Sequence, residues 1–363
     1  MKFYMPVKVF LEKDAVRKNA AVLASAGSKA LIVTGKRSAK LSGALNDVIF
    51  ALESEGKSYF IFDGIEENPS VETIIKAKDL ALKEGADFVI GVGGGSPMDA
   101  SKAIALLAAN PGEGEDFLWL KYDKLPAALP VIAVPTTCGT GSEVTGVAVI
   151  TRNDVRTKMS MSYRIFPRFA FVDGKYLKAA PMSVIGNTAV DALAHLVESR
   201  IHSGYNDMVE TVNADGLLVF ARTKDKLYNN SPLDEEDYMN LMEASLLAGM
   251  SIAQSGTSIP HGLSYTLTYE RGVPHGKAVG RFLGGYMKHA DPAVTADILS
   301  KAGFGSLDEY EDFYAKLCLD ENDPIVTDKA LLDLCLNNIM ANPGKLAACP
   351  YEVNEEILRD IIY

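Results

Sequence analysis

The sequence predicts an α/β domain built on a parallel sheet, followed by an all-helical domain. Three observations predict it. Short apolar runs alternate with helical patterns through the first half, which is the rhythm of strands joined by crossover helices. A glycine-rich turn closes one of those runs at the carboxyl end, where open parallel sheets bind ligands. After about Lys178 the strand patterns stop and only helical periodicity remains. The 363 residues suit roughly two domains at about 150 residues each. The expected extents are 1–178 for the α/β domain and 179–363 for the helical one.

The elements follow in order. Ala30-Leu31-Ile32-Val33-Thr34 reads as a buried strand ending at Gly35, with a helix from about Ser42 to Glu55 after it. Ser58 to Phe62 is a second strand, closed by Asp63-Gly64. Asn68-Pro69-Ser70 opens a helix with Ser70 as N-cap and Thr73 where a capping box would place Glu. Asp87 to Gly91 is a third strand, running into Gly93-Gly94-Gly95-Ser96-Pro97 and a helix from about Met98 to Ala109. Val131 to Val134 is a fourth. Helices are then expected at Ser183–Arg200, Asn206–Lys224, Glu235–Gln254 and His275–His289, with a surface loop at Tyr228–Pro232.

Composition narrows the function classes. Apolar residues make up 48% and charged residues 23%, which suits a globular chain. Asp and Glu total 47 against 36 Lys and Arg, a net charge of −11. Broad binding to nucleic acid or to an anionic membrane needs the opposite balance. No run of 18 apolar residues occurs, so no spanning helix is expected. The start, MKFYMPVKVFLEKDA, lacks the apolar core of a signal peptide. Cys138, Cys318, Cys335 and Cys349 form no CxxC pair and are expected as free thiols in a reducing cytoplasm.

Three stretches carry chemistry. The glycine turn at 91–96 lets backbone approach a pyrophosphate at a helix N-terminus, though a tight turn without ligand has the same sequence. It is no P-loop, because Gly-Lys-Ser/Thr does not follow. Pro135-Thr136-Thr137-Cys138-Gly139-Thr140-Gly141-Ser142-Glu143, after the fourth strand, places four hydroxyls at the same sheet edge. The two loops together suit a dinucleotide. Finally, Asp191 and His195 stand at i and i+4, on one helix face. With His261 and His275 they could form a mixed oxygen and nitrogen site for a divalent transition metal. Taken singly, each histidine also fits a buried, hydrogen-bonded role.

Together GVGGGSPMDASKA, PTTCGTGSEVT, DALAH, His261 and PHG at His275 resemble the iron-containing (group III) alcohol dehydrogenases, and among them the propanediol dehydrogenase-like subgroup. The resemblance runs from PVKVF to at least Gly280. It implies a dehydroquinate synthase-like architecture with the active site in the cleft between the domains. Asp191, His195, His261 and His275 take the metal places, with Fe2+ expected and Zn2+ compatible. Gly94, Gly95, Ser96 and Asp99 fall in the pyrophosphate loop and its helix. Thr136, Thr137, Thr140 and Ser142 fall in the second nucleotide loop. Lys158 matches a lysine near the cofactor ribose, and Asn68 a residue near the adenosine half.

Gly35 replaces an Asp common in NAD-preferring members, and Lys36, Arg37 and Lys40 follow it. A 2′-phosphate is repelled by a carboxylate and attracted by such cations, so NADP is expected over NAD. Two departures stand out. Tyr265 replaces a histidine that many members carry near the nicotinamide, so no relay role carries over, and Tyr265 is expected as a pocket wall or a core residue. The segment after His275 reads GKAVGRFLGG, which departs from the family pattern. The implied activity is hydride transfer between a small primary alcohol or diol and NADP(H), with a homodimer as the expected assembly. The alternatives are an NAD-dependent polyol (glycerol-type) dehydrogenase, a cyclase of the same fold, and a noncatalytic binding protein.

Overall fold

A computed structural model describes residues 3–120, 126–320 and 323–363. The chain forms two compact units. One comprises Met5–Thr137 and Gly141–Ala180. The other comprises Pro181–Tyr363, Cys138–Thr140 and the amino-terminal segment through Tyr4.

In the first unit the strands are β1 (Lys8–Leu11), β2 (Lys29–Thr34), β3 (Ser58–Phe62), β4 (Phe88–Gly93), β5 (Val131–Pro135), β6 (Val149–Arg152), β7 (Thr157–Ser160) and β8 (Phe169–Val172). Its helices are α1 (Ala15–Lys18), α2 (Ala20–Ala24), α3 (Ser38–Leu41), α4 (Ala44–Ser54), α5 (Val71–Glu84) and α6 (Gly95–Ala108). Six strands form one sheet in the order β1-β8-β5-β4-β2-β3, and every pair in it is parallel. Alternate side chains enter opposite layers. Leu31, Val33, Val89 and Val131 pack with Ile74 and Ile104 of α5 and α6. Ala30, Ile32, Ile90 and Ile132 pack with Leu23, Val48 and Leu52 of α2 and α4. Covered on both faces, these strands read as unbroken apolar runs.

The sequence reading of this unit needs three corrections. The sheet also contains β1 and β8, four residues each, too short to show a period. An antiparallel ribbon of β6 and β7 was not expected. The helix after the glycines begins at Gly95 rather than Met98, because Gly94 serves as its extended N-cap and Pro97 is tolerated in a first turn.

The second unit contains α7 (Met182–Arg200), α8 (Asp207–Tyr228), α9 (Glu235–Ser255), α10 (Ile259–Arg271), α11 (His275–Gly280), α12 (Leu283–Lys288), α13 (Pro292–Lys301), α14 (Leu307–Cys318), α15 (Pro324–Thr327), α16 (Lys329–Met340), α17 (Pro343–Leu346) and α18 (Glu355–Ile362). Helix α8 continues through Tyr228, so the loop expected from that residue starts one position later. The segment 275–289 is two helices rather than one. The Gly280 carbonyl, which a continuous helix would use, accepts from the Tyr310 hydroxyl of α14 (2.9 Å), and the Tyr314 hydroxyl adds a bond to the Lys277 carbonyl (2.8 Å) beside that of Arg281 N–H. All four cysteines are buried free thiols. Among the described residues no helix is long and apolar enough to cross a membrane.

Candidate metal centre and nucleotide loops

Helix α7 carries Asp191, His195 and Glu198 at i, i+4 and i+7, one face of the helix. All three are buried. His261 enters from the first turn of α10 and His275 from the start of α11. A glycine is required beside His275. A Cβ on Gly276 would stand 1.7 Å from the Asn187 carbonyl oxygen, so only glycine lets α11 lie this close to α7.

One ligand atom from each of Asp191, His261 and His275 lies within 4.8 Å of the others. Asp191 Oδ1 is 3.6 Å from His261 Nε2 and 3.7 Å from His275 Nε2. These separations exceed a hydrogen bond. Two donors about 2.1 Å from one tetrahedral ion stand roughly 3.4 Å apart. Asp191 Oδ1 and His261 Nε2 are both buried with no hydrogen-bond partner. Orphaned polar atoms of complementary type, facing each other at ligand spacing, fit a divalent cation. The His195 ring stacks on His261 with centroids 4.5 Å apart, beside the three-residue set rather than within it.

The tautomers also suit a metal. His195 Nδ1 bonds the Gly139 carbonyl (3.2 Å), and His261 Nδ1 bonds Glu198 Oε2. Each bond leaves Nε2 with its lone pair. The electrostatics are those of a centre short of positive charge. Burial opposes ionisation of Asp191, yet the surrounding imidazoles hold its carboxyl well below the usual range. Burial likewise opposes Glu198, but His261 holds it down at about 2. Burial would neutralise His261, and the carboxylates of Glu198 and Asp191 outweigh it. His195 is pushed down by burial, toward the neutral form a ligand needs.

Glu198 escaped the sequence reading. Its spacing from Asp191 was legible, but its burial and its bond to His261 depend on α10. Tyr265 lies beside His275, with ring centroids 6.5 Å apart and an interplanar angle of 24°.

The α/β unit assembles most of the expected nucleotide residues. Gly93 adopts φ +149°, where a side chain would strike Pro97, and its carbonyl accepts from Thr136 N–H at 2.9 Å. A Cβ on Gly94 would lie 3.1 Å from Thr137 Oγ1, which keeps the first turn of α6 open. Thr136 Oγ1 is buried without a hydrogen-bond partner. A hydroxyl seeking a partner beside an uncapped helix N-terminus fits a dinucleotide phosphate. Asp99 and Ser142 face inward: Ser142 Oγ donates to Asp99 Oδ1 (2.5 Å), and buried Lys102 donates to Ser142 (2.7 Å) and the Val147 carbonyl (2.7 Å). Ser96 Oγ accepts from Asn68 N–H (3.1 Å), and Lys158 Nζ donates to Asn68 Oδ1 (2.7 Å). Gly95 opens α6, whereas Thr140 falls in the helical unit. Gly35 and Lys36 follow β2. Gly35 also has a packing reason, since a Cβ would meet the Ile65 carbonyl at 3.2 Å. Lys40 is paired with Asp63 at 2.7 Å.

Residues 6–174 match the family described as iron-containing alcohol dehydrogenase, and residues 185–304 match that family's C-terminal description. The chain is 30% identical to long-chain-alcohol dehydrogenase 1 of Geobacillus thermodenitrificans, over 82% of this chain and 76% of the relative. It is 31% identical to 1,3-propanediol dehydrogenase of Klebsiella pneumoniae, over 76% of this chain and 72% of the relative. Among solved structures, an iron-containing alcohol dehydrogenase of Thermotoga maritima superposes with a TM-score of 0.88 at 32% identity, covering 99% of this chain and 98% of that one. A sulfoacetaldehyde reductase of Bifidobacterium kashiwanohense, solved with NAD+, gives a TM-score of 0.86 at 26% identity, covering 100% and 97%.

Proposed function

The chain belongs to the iron-containing alcohol dehydrogenase family, and from that premise we propose hydride transfer between a small primary alcohol or diol and NADP(H), with a divalent metal on Asp191, His195, His261 and His275. The observation that carries the reading is the pair of buried, unbonded atoms Asp191 Oδ1 and His261 Nε2 facing each other at 3.6 Å. Fe2+ is the first choice and Zn2+ the second. Either supplies Lewis-acid polarisation of an alcohol or aldehyde oxygen.

The protein's own residues bind and orient. The first turn of α6, kept open by Gly94 and Gly95, holds the pyrophosphate. Thr136 and Thr137 offer hydroxyls to it. Asn68, Ser96 and Lys158 form a bonded set for the adenosine half and ribose. Asp99 and Ser142 brace the second loop from within, and Thr140 extends it. Tyr265 walls the substrate side beside His275. Gly35, Lys36 and Arg37 favour a 2′-phosphate, while Lys40 shares its charge with Asp63. A homodimer in the cytoplasm completes the reading.

The test is anaerobic reduction of small aldehydes after loading with Fe2+ or Zn2+, run with NADPH and with NADH. The expected outcome is metal-dependent turnover with a higher kcat/KM for NADPH. In His275→Ala both bound metal and turnover are expected to fall at least tenfold. Full activity and stoichiometric metal in that variant would overturn the site. An NADH preference would favour the NAD-dependent polyol reading. Absence of turnover and metal would favour a noncatalytic binding protein.

A further inference from the structure

We infer that Glu198 is a positioning residue that sets the affinity of the metal centre through His261. The inference rests on the metal reading above. Glu198 is fully buried, and its two oxygens divide their work. Oε2 accepts from His261 Nδ1. Oε1 accepts from Ser258 N–H at 2.8 Å and from His261 N–H at 3.4 Å. Ser258 Oγ lies between Glu198 Oε1 (3.2 Å) and the Tyr286 hydroxyl (2.9 Å), and Tyr286 donates to the Ile201 carbonyl at 3.1 Å. The carboxylate is thus fixed from α7, the start of α10 and α12 together.

Its charge is bonded to one ring. The nearby ammonium of Lys345 donates to Thr257, at 2.6 Å to Oγ1 and 3.1 Å to the carbonyl, not to Glu198. A buried carboxylate without a bonded cation is costly. Lys345 acts on it from a distance, and the bonded compensation passes through the His261 ring, whose Nε2 faces Asp191 Oδ1. A divalent ion at that point balances two buried carboxylates, Asp191 directly and Glu198 at one ring's remove. Glu198 also locks the Nδ1–H tautomer, so His261 presents Nε2 without a reorientation cost.

The test compares the full-length parent with Glu198→Gln and Ser258→Ala by Co2+ titration against a chelator. The visible spectrum, the melting temperature of metal-free protein and NADPH binding are recorded alongside. The expected result for Glu198→Gln is Co2+ affinity lower by about 10- to 100-fold with a shifted spectrum, while NADPH binding stays within about twofold. Ser258→Ala, which keeps the charge and the backbone donor, is expected to lose a few-fold. Parent-like affinity and spectrum in Glu198→Gln overturn the inference and leave the metal reading standing. A parent that binds no Co2+ overturns both. If Glu198→Gln does not fold, Ser258→Ala decides, and unchanged affinity there overturns the inference.

Discussion

Two ionisable groups of opposite type, Lys102 and Glu143, are buried around the loop that follows β5, and burial works against the charge of each. Lys102 is fully enclosed, and burial pushes its ammonium down while Asp99 and Glu143 resist. Burial pushes the Glu143 carboxyl up to about 7, against its backbone bonds and Lys102. The unfolded value is near 4.3, so between about pH 4.3 and 7 the folded state holds a proton that the unfolded state has released. Stability therefore falls as pH rises through that window and levels off above it. Glu143→Gln abolishes the slope. It is expected to melt like the parent near pH 4 and to exceed it at pH 8, by on the order of 3–4 kcal/mol. Denaturant unfolding at the two pH values checks this, and an equal gain at both sinks it. Neither burial was legible in the sequence: Glu143 closes a hydroxyl-rich stretch, and Lys102 sits in a helix whose covered side the pattern does not mark. The proposed metal residues could be nominated from the sequence, because Asp191 and His195 share a helix face and histidines are scarce enough to be counted. Glu198 completes that face but takes its meaning from Ser258 and His261, 60 residues and more away.

At the scale of elements, glycine fixes distances that periodicity leaves open. The spacing of apolar runs located β2, β4 and β5, which are buried on both faces, and the edge strand β3, whose aromatic and β-branched residues mark it although it is half-exposed. It missed β1 and β8, where four residues carry too little pattern, and it joined α11 to α12, because the Tyr310 hydroxyl of a distant helix takes the Gly280 carbonyl. The approach of α11 to α7 depends on Gly276, and no period reports it. Gly276→Ala would place a methyl carbon 1.7 Å from the Asn187 carbonyl oxygen and 3.3 Å from Asp191 Cβ. No rotamer relieves a Cβ clash with backbone, so α11 must retreat and carry His275 with it. The expected cost is about 2–3 kcal/mol or more, together with at least a tenfold loss of metal affinity. Chemical denaturation and metal titration read the two effects separately. Parent-like metal affinity in this variant would mean that His275 does not depend on the α7–α11 approach.

For the whole molecule, the division into two compact units separates the two proposed sets of ligand residues along the chain. The proposed metal residues all lie in the helical unit, while the proposed nucleotide residues Gly94, Gly95, Ser96, Asn68, Thr136, Thr137 and Lys158 lie in the α/β unit. A ligand stabilises what it binds by mass action, about 4 kcal/mol at a thousandfold excess over Kd. Amides that open only with the bound structure gain that protection, whereas amides that fray locally do not. Hydrogen exchange should therefore separate the two ligands along the sequence. Zn2+ added to metal-free protein is expected to slow exchange in α7, the first turns of α10 and α11, and around Gly139, whose carbonyl holds His195. NADPH is expected to slow exchange from Gly93 through Lys102 and around Asn68. Both patterns belong to the proposed site, and they fail independently. Zn2+ that leaves α7 and α10 unprotected sinks the metal assignment, and NADPH that leaves the start of α6 unprotected sinks the nucleotide assignment.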